Sequence, residues 1–120
     1  MTAHILVVED SELVTDAFRV LLEGSGYRVS DAATRDEAVS IAARDPVDLM
    51  LLDLTLSDGD GLEALTAMQA SGTEPGATLV MTGDDHPATR ERCLAAGCTD
   101  VLIKPVSILE LRRVIERHIG

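Results

Sequence analysis

Short apolar runs alternate with segments of helical period five times along the chain. The runs predict strands at 4–8, 27–31, 47–52, 78–82 and 100–103. Two of them, Ile5-Leu6-Val7-Val8 and Leu49-Met50-Leu51-Leu52, are apolar at every position. A strand covered on both faces reads this way, and such strands belong to parallel sheets.

The segments between the runs predict five helices. The first places Leu13, Val14, Ala17, Phe18, Leu21 and Leu22 on one face, and Gly24 and Gly26 stop it. The second opens on Thr34-Arg35-Asp36-Glu37, which fits a capping box, buries Ala38, Ile41 and Ala42, and is followed by Pro46. The third carries Leu62, Leu65 and Met68 before Gly72. The fourth follows Pro87 and ends before Gly97; its one large aliphatic is Leu94, so it is expected to be the least firmly docked. The fifth opens on Ser107-Ile108-Leu109-Glu110, a second capping box, and carries Leu111, Val114, Ile115, His118 and Ile119.

This alternation predicts a doubly wound α/β domain over residues 1–120. Helices cover both faces of a five-stranded parallel sheet of order 2-1-3-4-5. With 120 residues and 46% hydrophobic content, the chain can bury one core and has no length for a second domain. No run approaches the ~20 apolar residues of a membrane span, and Met1-Thr2-Ala3-His4 has no basic leader, so a cytoplasmic protein is expected.

Charge excludes one class of function. The net charge is −11, and residues 1–60 hold 13 acidic against 4 basic side chains. Such a surface repels a nucleic-acid backbone, and Phe18 and Tyr27 are the only aromatics available to stack on bases. Cys93 and Cys98 are five apart, a spacing that does not face one side of a helix, and are expected to be inert buried thiols. His4, His86 and His118 show no zinc-ligand spacing.

The polar residues that end the runs carry the candidate chemistry. They are Glu9 and Asp10, Asp53, Thr82, and Lys104, the only lysine in the chain. In a parallel sheet all strand C-termini share one edge, and ligands bind there where the strand order reverses, here between the first and third strands. Three carboxylates therefore converge. Two unit charges about 4 Å apart repel by ~4 kcal/mol at an effective dielectric near 20. Either some of them protonate or a cation binds; hard carboxylate oxygens select a hard ion, and Mg²⁺ is the expected one. Lys104 and Thr82 suit a phosphoryl group beside it, the first as a point charge and the second as a hydroxyl donor.

An acidic pair after the first strand, Asp after the third, Thr after the fourth and Lys-Pro after the fifth resemble the receiver domain of two-component response regulators, over the whole chain. The resemblance implies a flavodoxin-like (βα)5 sandwich. It implies that Asp53 accepts a phosphoryl group from a histidine kinase or histidine phosphotransfer protein, switching or relaying a signal. Glu9, Asp10, Asp53 and the backbone carbonyl of Thr55 would hold Mg²⁺; Thr82 and Lys104 would contact the phosphoryl oxygens. The Lys104-Pro105 bond is expected to be cis. On this reading the protein catalyses only its own phosphorylation and dephosphorylation and is otherwise no enzyme.

Four positions depart from the family pattern or bear on it. Ser57 stands where the family usually has Pro, and Val101 where it often has an aromatic switch residue. Thr55 and Asp84 occupy positions that in the family modulate acyl-phosphate lifetime. Arg90, Arg92, Arg112, Arg113 and Arg117, on the last two helices, are a candidate docking patch for a downstream protein. Two other functions compete: a receiver-fold binding module that works without phosphorylation, and a Mg²⁺-dependent phosphatase with an Asp nucleophile. Phosphatases of that kind usually carry a second Asp two residues on, where Thr55 stands.

Overall fold

In a computed structural model that describes residues 2–119, strands and helices alternate as the hydrophobic pattern predicts. Met1 and Gly120, the ends of the expected 1–120 domain, lie outside the described residues. Five strands, β1 (His4–Val8), β2 (Arg28–Ala32), β3 (Leu49–Asp53), β6 (Ala77–Thr82) and β7 (Asp100–Ile103), pair in parallel in the order β2-β1-β3-β6-β7. That is the predicted 2-1-3-4-5 order. The order reverses at β1, which pairs Ile5 with Leu49 on one side and with Val29 on the other.

Alternation within the strands explains the fully apolar runs. Ile5, Val7, Leu49, Leu51, Leu79 and Met81 pack on one face, with Leu22 of α1 (Glu12–Gly24) and Leu111, Val114 and Ile115 of α5 (Ile108–Ile119). Leu6, Val8, Met50, Leu52 and Val80 pack on the other. They meet Ala38 and Ala42 of α2 (Arg35–Arg44), Leu62, Leu65 and Met68 of α3 (Leu62–Ser71), and Cys93 of α4 (Pro87–Ala95). Neither face of the strand can be polar when both are covered.

Capping follows the predicted chemistry. The Thr34 hydroxyl accepts the Glu37 N–H at 3.2 Å and the Ser107 hydroxyl accepts the Glu110 N–H at 3.0 Å. Gly72 ends α3 at φ 71°, where a side chain would be strained.

Three expectations need correction. Leu13 is not on the core face of α1: it is 82% exposed, and Val14 and Ala17 are exposed too. The helix instead turns Thr15, Phe18 and Leu22 toward the sheet. His118 of α5 is likewise exposed. Between β3 and α3, Thr55–Leu56 (β4) and Gly59–Asp60 (β5) form a two-stranded antiparallel ribbon. Cys93 and Cys98 do face each other, because Cys98 lies beyond the left-handed Gly97 and not on the helix. Burial pushes both thiols up, and the neighbouring Cys93 adds to the rise of Cys98, to about 12, so both are free and protonated.

Cys93 is the only fully buried side chain of α4; Leu94 is exposed. Polar tethers hold the helix instead: Arg92 to Asp60 at 2.7 Å, Arg90 to Asp100 at 3.2 Å, and the Gln69 amide to the Ala96 carbonyl at 2.9 Å. Exposed ion pairs of this kind contribute about 0–1 kcal/mol each, against about 1.5–3 kcal/mol for a buried aliphatic side chain. Amide hydrogen exchange of residues 87–95 is therefore expected to run well ahead of residues 49–53. Equal protection of the two segments would refute this ranking. Among the described residues no helix is long and apolar enough to cross a membrane.

Candidate phosphoryl-transfer site

The site assembles at the C-terminal edge of the sheet from residues far apart in sequence. Glu9 follows β1 directly and continues its pairing, donating its N–H to the Ala32 carbonyl at 3.0 Å. Asp53 is the last residue of β3, in register with Met81 of β6. Thr82 closes β6, and its carbonyl accepts the Lys104 N–H at 2.8 Å. Parallel register thus brings four strand ends to one level.

Glu9, Asp10 and Asp53 each offer a carboxylate oxygen within 4.8 Å of the others. Lys104 reaches across to Asp53, Nζ to Oδ2, at 3.0 Å, and lies 3.8 Å from Glu9 Oε2. Asp53 Oδ1 accepts the Thr55 N–H at 3.2 Å, so the carboxylate is held on both sides. Glu9 Oε1 accepts the Ser11 N–H at 3.1 Å, but its buried Oε2 has no hydrogen-bond partner. The Lys104–Pro105 bond is cis, as expected.

Three carboxylates face one lysine, and the side chain of Glu9 is only 4% exposed. Burial, and then the nearby charge of Asp53, pushes Glu9 above the usual carboxylate range, while the Ser11 N–H and Lys104 pull it down. The partnerless Oε2 and the clustered hard oxygens fit a divalent cation such as Mg²⁺. An acidic cleft of about 370 Å³, lined by Glu9, Asp10, Glu12, Asp16, Asp31 and Glu37, lies at that side of the site. An apolar groove of about 640 Å³, lined by Val14, Phe18, Met81, Pro105 and Val106, lies at the other, beside Lys104.

Metal-free stability should carry the signature of Glu9. The folded protein binds a proton at this residue more tightly than the unfolded chain does. Stability therefore falls as pH rises from the ordinary glutamate value of 4.5 through the raised folded one. Glu9→Gln is expected to raise the melting temperature in EDTA at neutral pH and to shrink the gain on adding Mg²⁺. Thermal denaturation with and without EDTA measures both, and a variant that melts lower in EDTA would contradict the assignment.

Not every expected residue converges directly. Thr82 makes no hydrogen bond to Asp53; its hydroxyl accepts the Asp84 N–H at 3.1 Å. Asp84 is committed to the start of α4: its oxygens take the N–H of the N-cap residue His86 at 2.9 Å and the Thr89 hydroxyl at 2.7 Å. The Thr55 side chain is exposed, as is Ser57 in the turn between β4 and β5. Val101 is buried on β7, and its carbonyl accepts from Arg90. The five-arginine patch divides. Arg90 and Arg92 pair with Asp100 and Asp60, whereas Arg112, Arg113 and Arg117 of α5 have no carboxylate within 4.0 Å among the described residues.

Sequence reasoning missed the packing of Gly61 against Asp53. A Cβ at Gly61 would stand 2.1 Å from the Asp53 carbonyl oxygen. The repeated Asp-Gly of residues 58–61 was the available signal, but it indicates only a turn.

Comparison with known proteins agrees with this geometry. The chain is 34% identical over 119 residues to the KDP operon transcriptional regulatory protein KdpE of Escherichia coli K12. That match covers 96% of this chain and 52% of KdpE, so the chain spans about half the length of such curated relatives. Chemotaxis response regulator CheY4 of Vibrio cholerae superposes with a TM-score of 0.92 at 25% identity, over 99% of this chain and all of CheY4. The receiver domain of sensor histidine kinase PA1611 from Pseudomonas aeruginosa PAO1, solved with a magnesium ion coordinated in its active-site cleft, superposes at 0.88 with 33% identity. That match covers all of this chain and 99% of the other. Residues 5–116 match the profile of the response regulator receiver domain, and the chain belongs to that family.

Proposed function

We propose that Asp53 is the phosphoacceptor of this receiver domain, acting in the cytoplasm on a phosphoryl group from a phosphohistidine of a histidine kinase or phosphotransfer protein. One observation carries the reading. The Asp53 carboxylate is held 3.0 Å from the only lysine of the chain, inside a carboxylate cluster with a buried, partnerless oxygen.

An Asp53 oxygen attacks phosphorus in line. The P–O bond forms as the P–N bond of the donor breaks. The electron pair leaves on the imidazole nitrogen, which takes a proton, and the product is an aspartyl phosphate. Lys104 sits where charge on the phosphoryl oxygens develops and offsets it. The Thr55 N–H orients the attacking carboxylate, and the hydroxyl of Thr82 has a proton to donate to a phosphoryl oxygen. Glu9, Asp10 and Asp53, joined on the family pattern by the Thr55 carbonyl, would hold Mg²⁺, which when bound would supply positive charge to the phosphoryl oxygens.

The donor protein would approach over the apolar groove beside Lys104, and a downstream partner would meet the unpaired arginines of α5. The protein turns over no separate substrate on this reading. Incubation with phosphoramidate and Mg²⁺ is expected to add one phosphoryl group, labile to hydroxylamine, on the peptide containing Asp53. A stable adduct elsewhere, or sustained hydrolysis of phosphate esters, would overturn it.

A further inference from the structure

The turn that ends α4 folds the chain's two cysteines onto each other. Gly97, at φ 105°, donates its N–H to the Leu94 carbonyl at 3.1 Å, and Cys98 donates its N–H to the Cys93 carbonyl at 3.1 Å. These paired bonds close the helix through a left-handed glycine and set the side chain at 98 against the one at 93. A direct backbone hydrogen bond between two cysteines keeps their α-carbons close to the ~4.4–6.8 Å that a disulfide spans. The thiols themselves are in hydrogen-bonding contact. Neither takes part in the phosphoryl chemistry, and an apolar contact at such a turn needs no sulfur.

The cover over the pair is held by polar contacts. Cys93 is fully buried and Cys98 is 6% exposed, in one core cluster with Met68 and Val101. Across the turn lies the exposed side chain of Gln69 from α3. Its amide donates to the Ala96 carbonyl at 2.9 Å and would stand 2.5 Å from a Cβ at Gly97. α4 buries no side chain other than Cys93, so loss of the Gln69 tether leaves its last turn with little to hold it. Burial keeps both thiols protonated while the turn is closed. Opening admits water, removes the cause of the raised pKa and lets thiolate form in its ordinary range.

We propose that Cys93 and Cys98 are a reversible oxidation site: the turn opens at Gln69, and a small-molecule disulfide of the glutathione class couples the two sulfurs into an internal bridge. The Cys98 thiolate, nearer to solvent, attacks one sulfur of the oxidant. A new S–S bond forms as the oxidant's own S–S bond breaks, and one glutathione leaves as thiolate. The Cys93 thiolate then attacks the Cys98 sulfur of this mixed disulfide, and the second glutathione leaves. The two protons given up by the cysteines pass to the two departing thiolates. Two cysteines are oxidised and one disulfide is reduced. The bridge ties the last turn of α4 to the segment that enters β7. In a reducing compartment the pair rests as thiols and the bridge is transient.

Treating the native chain with oxidised glutathione tests the site by mass spectrometry. The intact protein is expected to lose two hydrogens, and both sulfurs of the tryptic peptide that begins at Cys93 should resist iodoacetamide until dithiothreitol is added. Cys93→Ala removes the resolving thiol and should instead accumulate a glutathione adduct on Cys98. Gln69→Ala should speed bridging about fivefold, the effect of one lost hydrogen bond. Wild-type thiols that stay open to alkylation after native treatment, yet couple in guanidinium, overturn the proposal. So does a glutathione adduct on the wild type that never resolves, or a covalent dimer in place of the internal bridge. A Gln69→Ala variant that bridges no faster than the wild type overturns the opening at Gln69.

Discussion

Asp53→Asn should abolish covalent phosphoryl capture while leaving the fold intact. The substitution is nearly isosteric, and Asn can still accept the Thr55 N–H, so the end of β3 keeps its place. What disappears is the nucleophile: a neutral amide oxygen does not displace a phosphohistidine nitrogen. One of three mutually repelling carboxylates is also neutralised, so thermal stability in EDTA is expected to hold or rise. Lys104→Met provides the contrast. It removes a charge placed to stabilise the transition state and should slow capture by roughly 10²–10³-fold without eliminating it. Mass spectrometry after phosphoramidate treatment reads both variants. Undiminished labelling of Asp53→Asn would remove the phosphoacceptor assignment altogether.

Gly61→Ala should damage both stability and function, although its backbone is not strained. Gly61 has φ −57° and ψ −32°, a helical conformation that any residue adopts. Space is the obstacle. An added Cβ would meet the Asp53 carbonyl oxygen at 2.1 Å and the carbonyl carbon at 3.2 Å. Both atoms are backbone, so either the phosphoacceptor strand end or the start of α3 must move. Overpacking of this kind costs about 1–3 kcal/mol. Displacing Asp53 also takes its carboxylate off the Lys104 ammonium and should slow phosphoryl capture. Gly24→Ala is the control, since a Cβ there meets nothing within 4 Å. Calorimetry should show a melting temperature several degrees lower for Gly61→Ala and little change for Gly24→Ala. Equal melting of the two would mean that the Asp53–Gly61 contact does not constrain the site.

Much of the site was legible because chemistry and topology coincide. Glu9, Asp53, Thr82 and Lys104 each end an apolar run, and a parallel sheet aligns such ends without further information. Two-sided burial put β1 at its expected bounds, whereas β2, half polar at the sheet edge, shifted by one residue, and β3, expected from 47, starts at Leu49 and runs on to Asp53. The face of α1 was misread at Leu13, since an apolar residue beside the active edge fits the helical period yet stays exposed. Arg92 illustrates the opposite error. It reads as a free surface cation, and only the fold brings it to Asp60, 32 residues away.

By itself the sequence determined strand and helix order, the parallel sheet, the Thr34 and Ser107 caps and the residues at the reacting edge. Those follow from local periodicity and from which side chains can be buried, and both are properties of neighbours along the chain. Tertiary structure alone decided that Thr82 leans on Asp84, that Asp84 holds the Thr89 hydroxyl at the start of α4, that Gly61 touches Asp53 and that Glu9 keeps a buried oxygen without a hydrogen bond. Each of these depends on the last few tenths of an ångström between backbone segments joined by loops. No pattern of apolar and polar letters encodes those distances; close packing of the assembled sheet and helices sets them.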